Sequence, residues 1–110
     1  MASNFKNAIV PALGTAETTV VTTLNNARTT VIGMSLTNVT VDPVQVSIKL
    51  NDTVQAAAAY FLKNVIVPPN QSLRVINGGE KLILGPSTEL KVQTNTPSSI
   101  DFVMSYVEII

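Results

Sequence analysis

The chain has 110 residues, 45% of them apolar and only 13% charged, and its seven basic and seven acidic side chains cancel to a formal charge of zero. That length carries one core of modest burial fraction, and the charged share is about half that of an ordinary globular protein. Histidine and cysteine are absent, which excludes Ser-His-Asp and Cys-His catalysis, disulfide staples and thiolate zinc sites.

The basic residues Lys6, Arg28, Lys49, Lys63, Arg74, Lys81 and Lys91 are scattered. They form no stripe that could track phosphates, so nucleic acid is not expected as a partner. The N-terminus lacks the long apolar stretch of a signal peptide. No apolar run approaches the ~20 residues of a membrane span, so no membrane partner is expected. Polar positions are filled by Thr, Asn, Ser and Gln rather than by charge, a neutral surface that suits a protein packed against others.

In chain order, residues 1–16 read as an extended N-terminal arm. The run Thr18-Thr19-Val20-Val21-Thr22-Thr23 is β-branched and favours a strand. After the turn signal Asn25-Asn26, Ile32, Met34 and Leu36 alternate with Gly33, Ser35 and Thr37. This period of two marks a strand with one buried face, which places Ile32, Met34 and Leu36 inward. Asp42-Pro43 is a further turn, and Val44, Val46, Ile48 and Leu50 then alternate with Gln45, Ser47 and Lys49.

Residues 54–62 are ambiguous. Their four alanines are good helix formers, but an isolated helix this short is marginal and Val65-Ile66-Val67 is strongly β. We expect a loop over 51–58 that leads into a strand over 59–67. Pro68-Pro69-Asn70 is the next turn. Asn77, Gly78 and Gly79 then lie between two strand-like runs, 73–76 and 81–84. A phosphate loop would need its lysine at the start of a helix. Here Asn-Gly and Gly-Gly supply the positive φ angles of a tight hairpin turn, so 73–76 and 81–84 are expected to pair.

Gly85-Pro86-Ser87 and Asn95-Thr96-Pro97 bound a strand carrying Leu90 and Val92. The last strand alternates Ile100, Phe102, Met104 and Tyr106 with Asp101, Val103, Ser105 and Val107, and the chain ends on Ile109-Ile110. Apolar residues on both faces imply either a central strand or cover from a neighbouring subunit. Val103, Val107, Ile109 and Ile110 are therefore the candidate interface. The whole reads as one all-β domain over residues 1–110, an antiparallel β-sandwich or jelly roll of about eight short strands.

Chemistry is hard to find. Gly33-Met34-Ser35-Leu36-Thr37 lacks the second glycine and the following helix of a nucleophile elbow. The carboxylates Glu17, Asp42, Asp52, Glu80, Glu89, Asp101 and Glu108 show no spacing that recommends a catalytic pair. Asn51 and Asp52 are the residues around which a loose calcium site could form, although no EF-hand pattern is present. The chain has no Trp to build a sugar platform, and Tyr60 is the aromatic residue expected to be exposed. The sequons at Asn38, Asn51 and Asn70 are of the number expected by chance in so Asn- and Thr-rich a chain. No catalytic residue, metal or cofactor is expected, and a non-enzyme is the reading.

One stretch resembles a known group. Tyr60-Phe61-Leu62-Lys63-Asn64-Val65-Ile66-Val67-Pro68-Pro69-Asn70-Gln71-Ser72-Leu73 is similar to a segment of small virion structural proteins of tailed bacteriophages, particularly marine and cyanobacterial ones. The resemblance continues through the Gly78-Gly79-Glu80-Lys81 segment, Gly85-Pro86-Ser87-Thr88-Glu89-Leu90-Lys91-Val92 and the closing Asp101 to Ile109. It also takes in the early strand Gly33 to Asn38. It implies a β-sandwich of the virion, made in the host bacterial cytoplasm. The role implied is a head decoration (cement) protein or a neck, tail or baseplate component. Its implied partners are other copies of itself, as a trimer by analogy, and the major capsid protein or other virion proteins. A module that binds glycans or host surfaces through residues 51–58 or 68–72, with Tyr60 and Asn70 in the site, is the alternative of a different class.

Overall fold

A computed structural model of the chain describes residues 2–76 and 81–110. Among them are nine strands and no helix: β1 (Ser3–Leu13), β2 (Thr18–Thr22), β3 (Arg28–Asn38), β4 (Val44–Asp52), β5 (Ala57–Val67), β6 (Ser72–Ile76), β7 (Leu82–Leu84), β8 (Thr88–Thr94) and β9 (Ile100–Ile109). All pairings are antiparallel. One sheet has the order β1-β9-β3-β6, with β7 also on β3, and the other has the order β2-β8-β4-β5.

The pairings nest. β4 pairs with β5, β3 with β6 and β7, β2 with β8, and β1 with β9. The chain is thus one long hairpin, its tip at residues 53–56, rolled until β9 also meets β3 and β8 also meets β4. With β6 and β7 taken as one interrupted strand, this is the eight-stranded jelly roll, a double-sheet form of β-sandwich.

The alternation expected from the sequence is largely realised. Val44, Val46, Ile48, Leu90, Val92, Ile100, Phe102 and Met104 are fully buried between the sheets. They interleave with outward-facing polar residues, as a two-layer β fold requires. Asn38, at the end of β3, closes one end of the core. Its Nδ2 donates to the carbonyls of Asp42 (2.8 Å) and Val67 (3.0 Å), and its Oδ1 accepts from the N–H and the hydroxyl of Thr40. A sequon asparagine is therefore a buried tie between the two sheets.

Four expectations are corrected. Residues 3–13 are not a free arm: they form the edge strand β1, with Ala8 and Val10 against the core. Ile32 does not face inward. A register shift between Val31 and Gly33 inserts it as a bulge, so Val31 fills the core position and Ile32 is exposed; a bulge inverts side-chain facing over one residue. The loop expected over 51–58 shrinks to 53–56, because Asp52 pairs with Ala57 and Asn51 with Ala58. Asp52 Oδ1 accepts from the N–H groups of Val54 and Gln55 to fold that turn.

The fourth correction concerns the hairpin. Asn77, Gly78 and Gly79 lie outside the described residues. Their flanks pair not with each other but with β3: Met34 with Ile76 and Leu36 with Leu73 on one side, Thr29 with Leu84 and Val31 with Leu82 on the other. β6 and β7 thus run in the same direction along one edge. β3 has eleven residues, enough to seat both end to end.

Candidate functional site

The two outer surfaces of the sandwich differ in chemistry. On the β2-β8-β4-β5 sheet, registered rows bring Thr19, Lys91, Lys49 and Tyr60 side by side. Lys49 pairs with Glu17 at 3.3 Å, and Lys91 lies 3.8 Å from Glu17 and 3.9 Å from Glu89. The ammonium groups of Lys63 and Lys49 lie 4.1 and 5.4 Å from the centre of the Tyr60 ring. This surface is charged, and its ion-paired side chains are half-buried. Asn51, also here, donates to Glu89 Oε1 at 2.8 Å, so both residues of the expected calcium pair are engaged within the protein. Among the described residues no group of three or more acidic side chains is placed to hold a metal.

The outer surface of the other sheet sets exposed apolar side chains among small polar ones. β9 lies between β1 and β3, so its outward residues form the middle of cross-strand rows. One row runs Phe5, Val107, Thr30, Ile83. The next is Asn7, Ser105, Gly33, and the next is Ile9, Val103, Ser35, Arg74. Phe5 and Ile9 are 79% and 67% exposed, and Ile83 is 72% exposed. Among the described residues, Arg28, Arg74 and Asp101 bring charge towards the margins, and Lys6 lines the hollow beside Phe5. Asp101 is engaged, its Oδ1 accepting from the N–H of Ala12 at 2.9 Å.

The centre of this face is low. Gly33 has a φ outside the left-handed range, and a Cβ there would meet no atom within 4 Å. Neither backbone conformation nor crowding within the chain calls for glycine at that point, although glycine weakens a strand interior. Two shallow hollows flank the Gly33–Ser105 row. One, of about 250 Å³, lies beside Phe5 and Ile32; the other, of about 180 Å³, lies between Val103 and Arg74.

Of the residues expected at an interface, Val103 is exposed and Val107 half-buried in the middle of this face. Ile109 is half-buried and Ile110 exposed at its end, both lining a hollow of about 340 Å³ with Asn26 and Arg28. Of the two readings of the doubly apolar last strand, the structure gives the central position, between β1 and β3, and the outward side of β9 remains accessible. Sequence reasoning missed Phe5, Ile9, Gly33 and Ile83. Phe5 and Ile9 share a period-two pattern with Asn7, but Ala8 and Val10 interleave apolar residues of opposite facing, so the outer side was not marked.

Glu108 breaks the apolar pattern of the inner side. It is buried, and Lys6 of β1 meets it at 3.0 Å. That hydrogen bond and the carboxylate charge raise the Lys6 ammonium above its ordinary pKa of 10.5. The chain ends also pair here, with Ala2 N–H donating to Ile110 O and Ile110 N–H to Ala2 O. These contacts fasten β1 to β9 and so hold Phe5 and Ile9 on the apolar face.

The molecule is therefore a jelly-roll β-sandwich with ion pairs across one outer surface and exposed apolar side chains among small polar ones on the other. Comparison with known proteins finds no matching family model, no matching curated protein and no matching solved structure.

Proposed function

We propose that the chain is a non-enzymatic structural protein of a tailed-bacteriophage particle, in first place a capsid decoration or cement protein. Its apolar sheet face around Val103 and Val107 would be buried against copies of itself and against the major capsid protein or other virion proteins. The observation that carries this reading is the asymmetry of the two outer surfaces: charge is concentrated on one, and exposed Phe5, Ile9, Ile83 and Val103 on the other. Contiguous exposed apolar patches mark interaction surfaces. The resemblance of the Tyr60 to Leu73 segment and of the last strand to phage virion proteins supports the particle as the setting. The jelly roll, a form that viral capsid domains use, agrees by analogy of fold alone.

In this role the protein acts by mass action. A subunit that binds the assembled shell and not its separated parts stabilises the shell in proportion to the logarithm of its free concentration over its dissociation constant. The same face would serve in a neck, tail or baseplate. Glycan recognition through Tyr60 has less support, since lysine ammonium groups crowd its ring.

The test is co-sedimentation of the purified chain with phage capsids, necks and tails. We expect it to bind one of them and to raise the temperature at which that part comes apart. A chain that ignores all three overturns the proposal.

A further inference from the structure

An antiparallel strand directs the backbone groups of alternate residues to opposite sides. Ala2 and Ile110 exchange both of their bonds, so in the same register Asn4, Lys6, Ala8 and Val10 bond to β9. Ser3, Phe5, Asn7 and Ile9 then turn their N–H and C=O groups away from it. Among the described residues no strand pairs with that side of β1.

The other sheet edges are blunted along their length, whereas on β1 the register shift, Pro11 and Ala12 at φ 55° lie at its far end, after Val10, and Lys6 is turned to Glu108. β5 carries two register shifts, Lys63, and Asn64 in a left-handed conformation with φ of 51°. β2 has five residues, and the β6–β7 edge is interrupted. β1 keeps an unbroken register from Ser3 to Val10. A long, regular edge with exposed apolar side chains is a template for another strand.

We propose that two copies of the chain pair through β1, antiparallel about a two-fold axis at Asn7. In that register Phe5 of each copy lies opposite Ile9 of the other, and Asn7 lies opposite Asn7. Three pairs then exchange two backbone bonds each, and the two large exposed apolar side chains of β1 cover one another across the contact. Pro11, with no N–H to give, ends the ladder.

Neighbouring registers are worse. An axis at Lys6 would bond four pairs, but it sets Phe5 opposite Asn7 and Ile9 opposite Ser3, so the apolar side chains no longer cover one another, and it brings the two Lys6 residues together. An axis at Ala8 sets Phe5 against Pro11. The second copy also brings no net charge to oppose the contact.

The contact is two-fold, unlike the threefold arrangement that the phage resemblance implies. It stands on the strand edge alone and needs no virion.

Cysteine substitution tests it, because the chain has no cysteine of its own. Residues opposite each other in a bonded pair have Cα atoms about 5.5 Å apart, within disulfide reach. Under mild oxidation the Asn7→Cys variant is expected to form a covalent dimer. Phe5→Cys and Ile9→Cys, whose symmetry mates would lie roughly 14 Å away, are expected not to.

Light scattering on the unsubstituted chain should give twice 11.7 kDa at the high end of a micromolar to millimolar series. Asn7→Pro should weaken the dimer at least tenfold while circular dichroism is retained, since that N–H faces away from β9. A monomer at every concentration overturns the proposal. So does a trimer, or cross-linking at residues 5 and 9 as strong as at 7. Because no particle is involved, these outcomes are separate from those of the co-sedimentation experiment.

Discussion

Asn38 Nδ2 lies 3.0 Å from the carbonyl oxygen of Val67, a bond between the last residue of β3 in one sheet and the last residue of β5 in the other. The same amide satisfies the carbonyl of Asp42 and accepts two bonds from Thr40, so its full donor and acceptor capacity is used at zero exposure. Asn38→Asp keeps the shape but removes both donors. The two carbonyls then face a buried carboxylate, and a loss of about 2–3 kcal/mol in urea unfolding is expected.

The ion pair of Lys6 and Glu108 sets a pH response. The Lys6 pKa is raised in the folded state by its hydrogen bond to Glu108 and by the carboxylate charge. A raised folded value means that the contribution is fully present below the unfolded value of about 10.5 and is lost as pH rises through the higher folded value. Amide exchange in β1, measured from neutral to strongly alkaline pH, should lose protection in that upper window before the core strands do. Lys6→Met should abolish the window. It should also destabilise more than Lys6→Met combined with Glu108→Gln, because it leaves a buried carboxylate without its partner.

The apolar face can be separated from the charged one by paired substitutions. Val107→Asp and Ile109→Asp place charge on the first; Gln45→Asp and Lys49→Asp alter the second. We expect the first two to weaken assembly, seen as lower mass in light scattering and less co-sedimentation, by at least tenfold. The second two should change it less than threefold. Equal effects on both surfaces would remove the basis for the proposed role.

Ala56 holds φ at 53° in the turn at the hairpin tip. A left-handed conformation is costly for alanine and free for glycine. Ala56→Gly is therefore expected to stabilise the protein by about 0.5–1 kcal/mol in denaturant titration. The same change at a regular position such as Ala8 of β1 should destabilise it.

The sequence alone determined the class of fold and most of its inward faces. Val44, Val46 and Ile48, Leu90 and Val92, and Ile100, Phe102 and Met104 alternate with polar neighbours, and a strand shows successive side chains to opposite sides, so burial of these residues follows from local order. Turn residues such as Asp42-Pro43 and Pro68-Pro69-Asn70 set where the strands stop, because their backbone preferences are also local. The lack of histidine, cysteine and tryptophan bounded the chemistry in the same direct way.

Only the tertiary structure decided which strands meet. Glycines between 73–76 and 81–84 permit a tight turn but name no partner, and the long edge of β3 took both segments. The bulge at Ile32 arises from pairing with β9, some seventy residues later, so the local alternation misassigned that side chain. Lys6 and Glu108 stand at opposite ends of the chain. Nothing near either residue marks Glu108 for burial until β1 is laid beside β9. The apolar surface follows the same rule: Phe5, Val107 and Ile83 come from three distant segments and form one row through strand register.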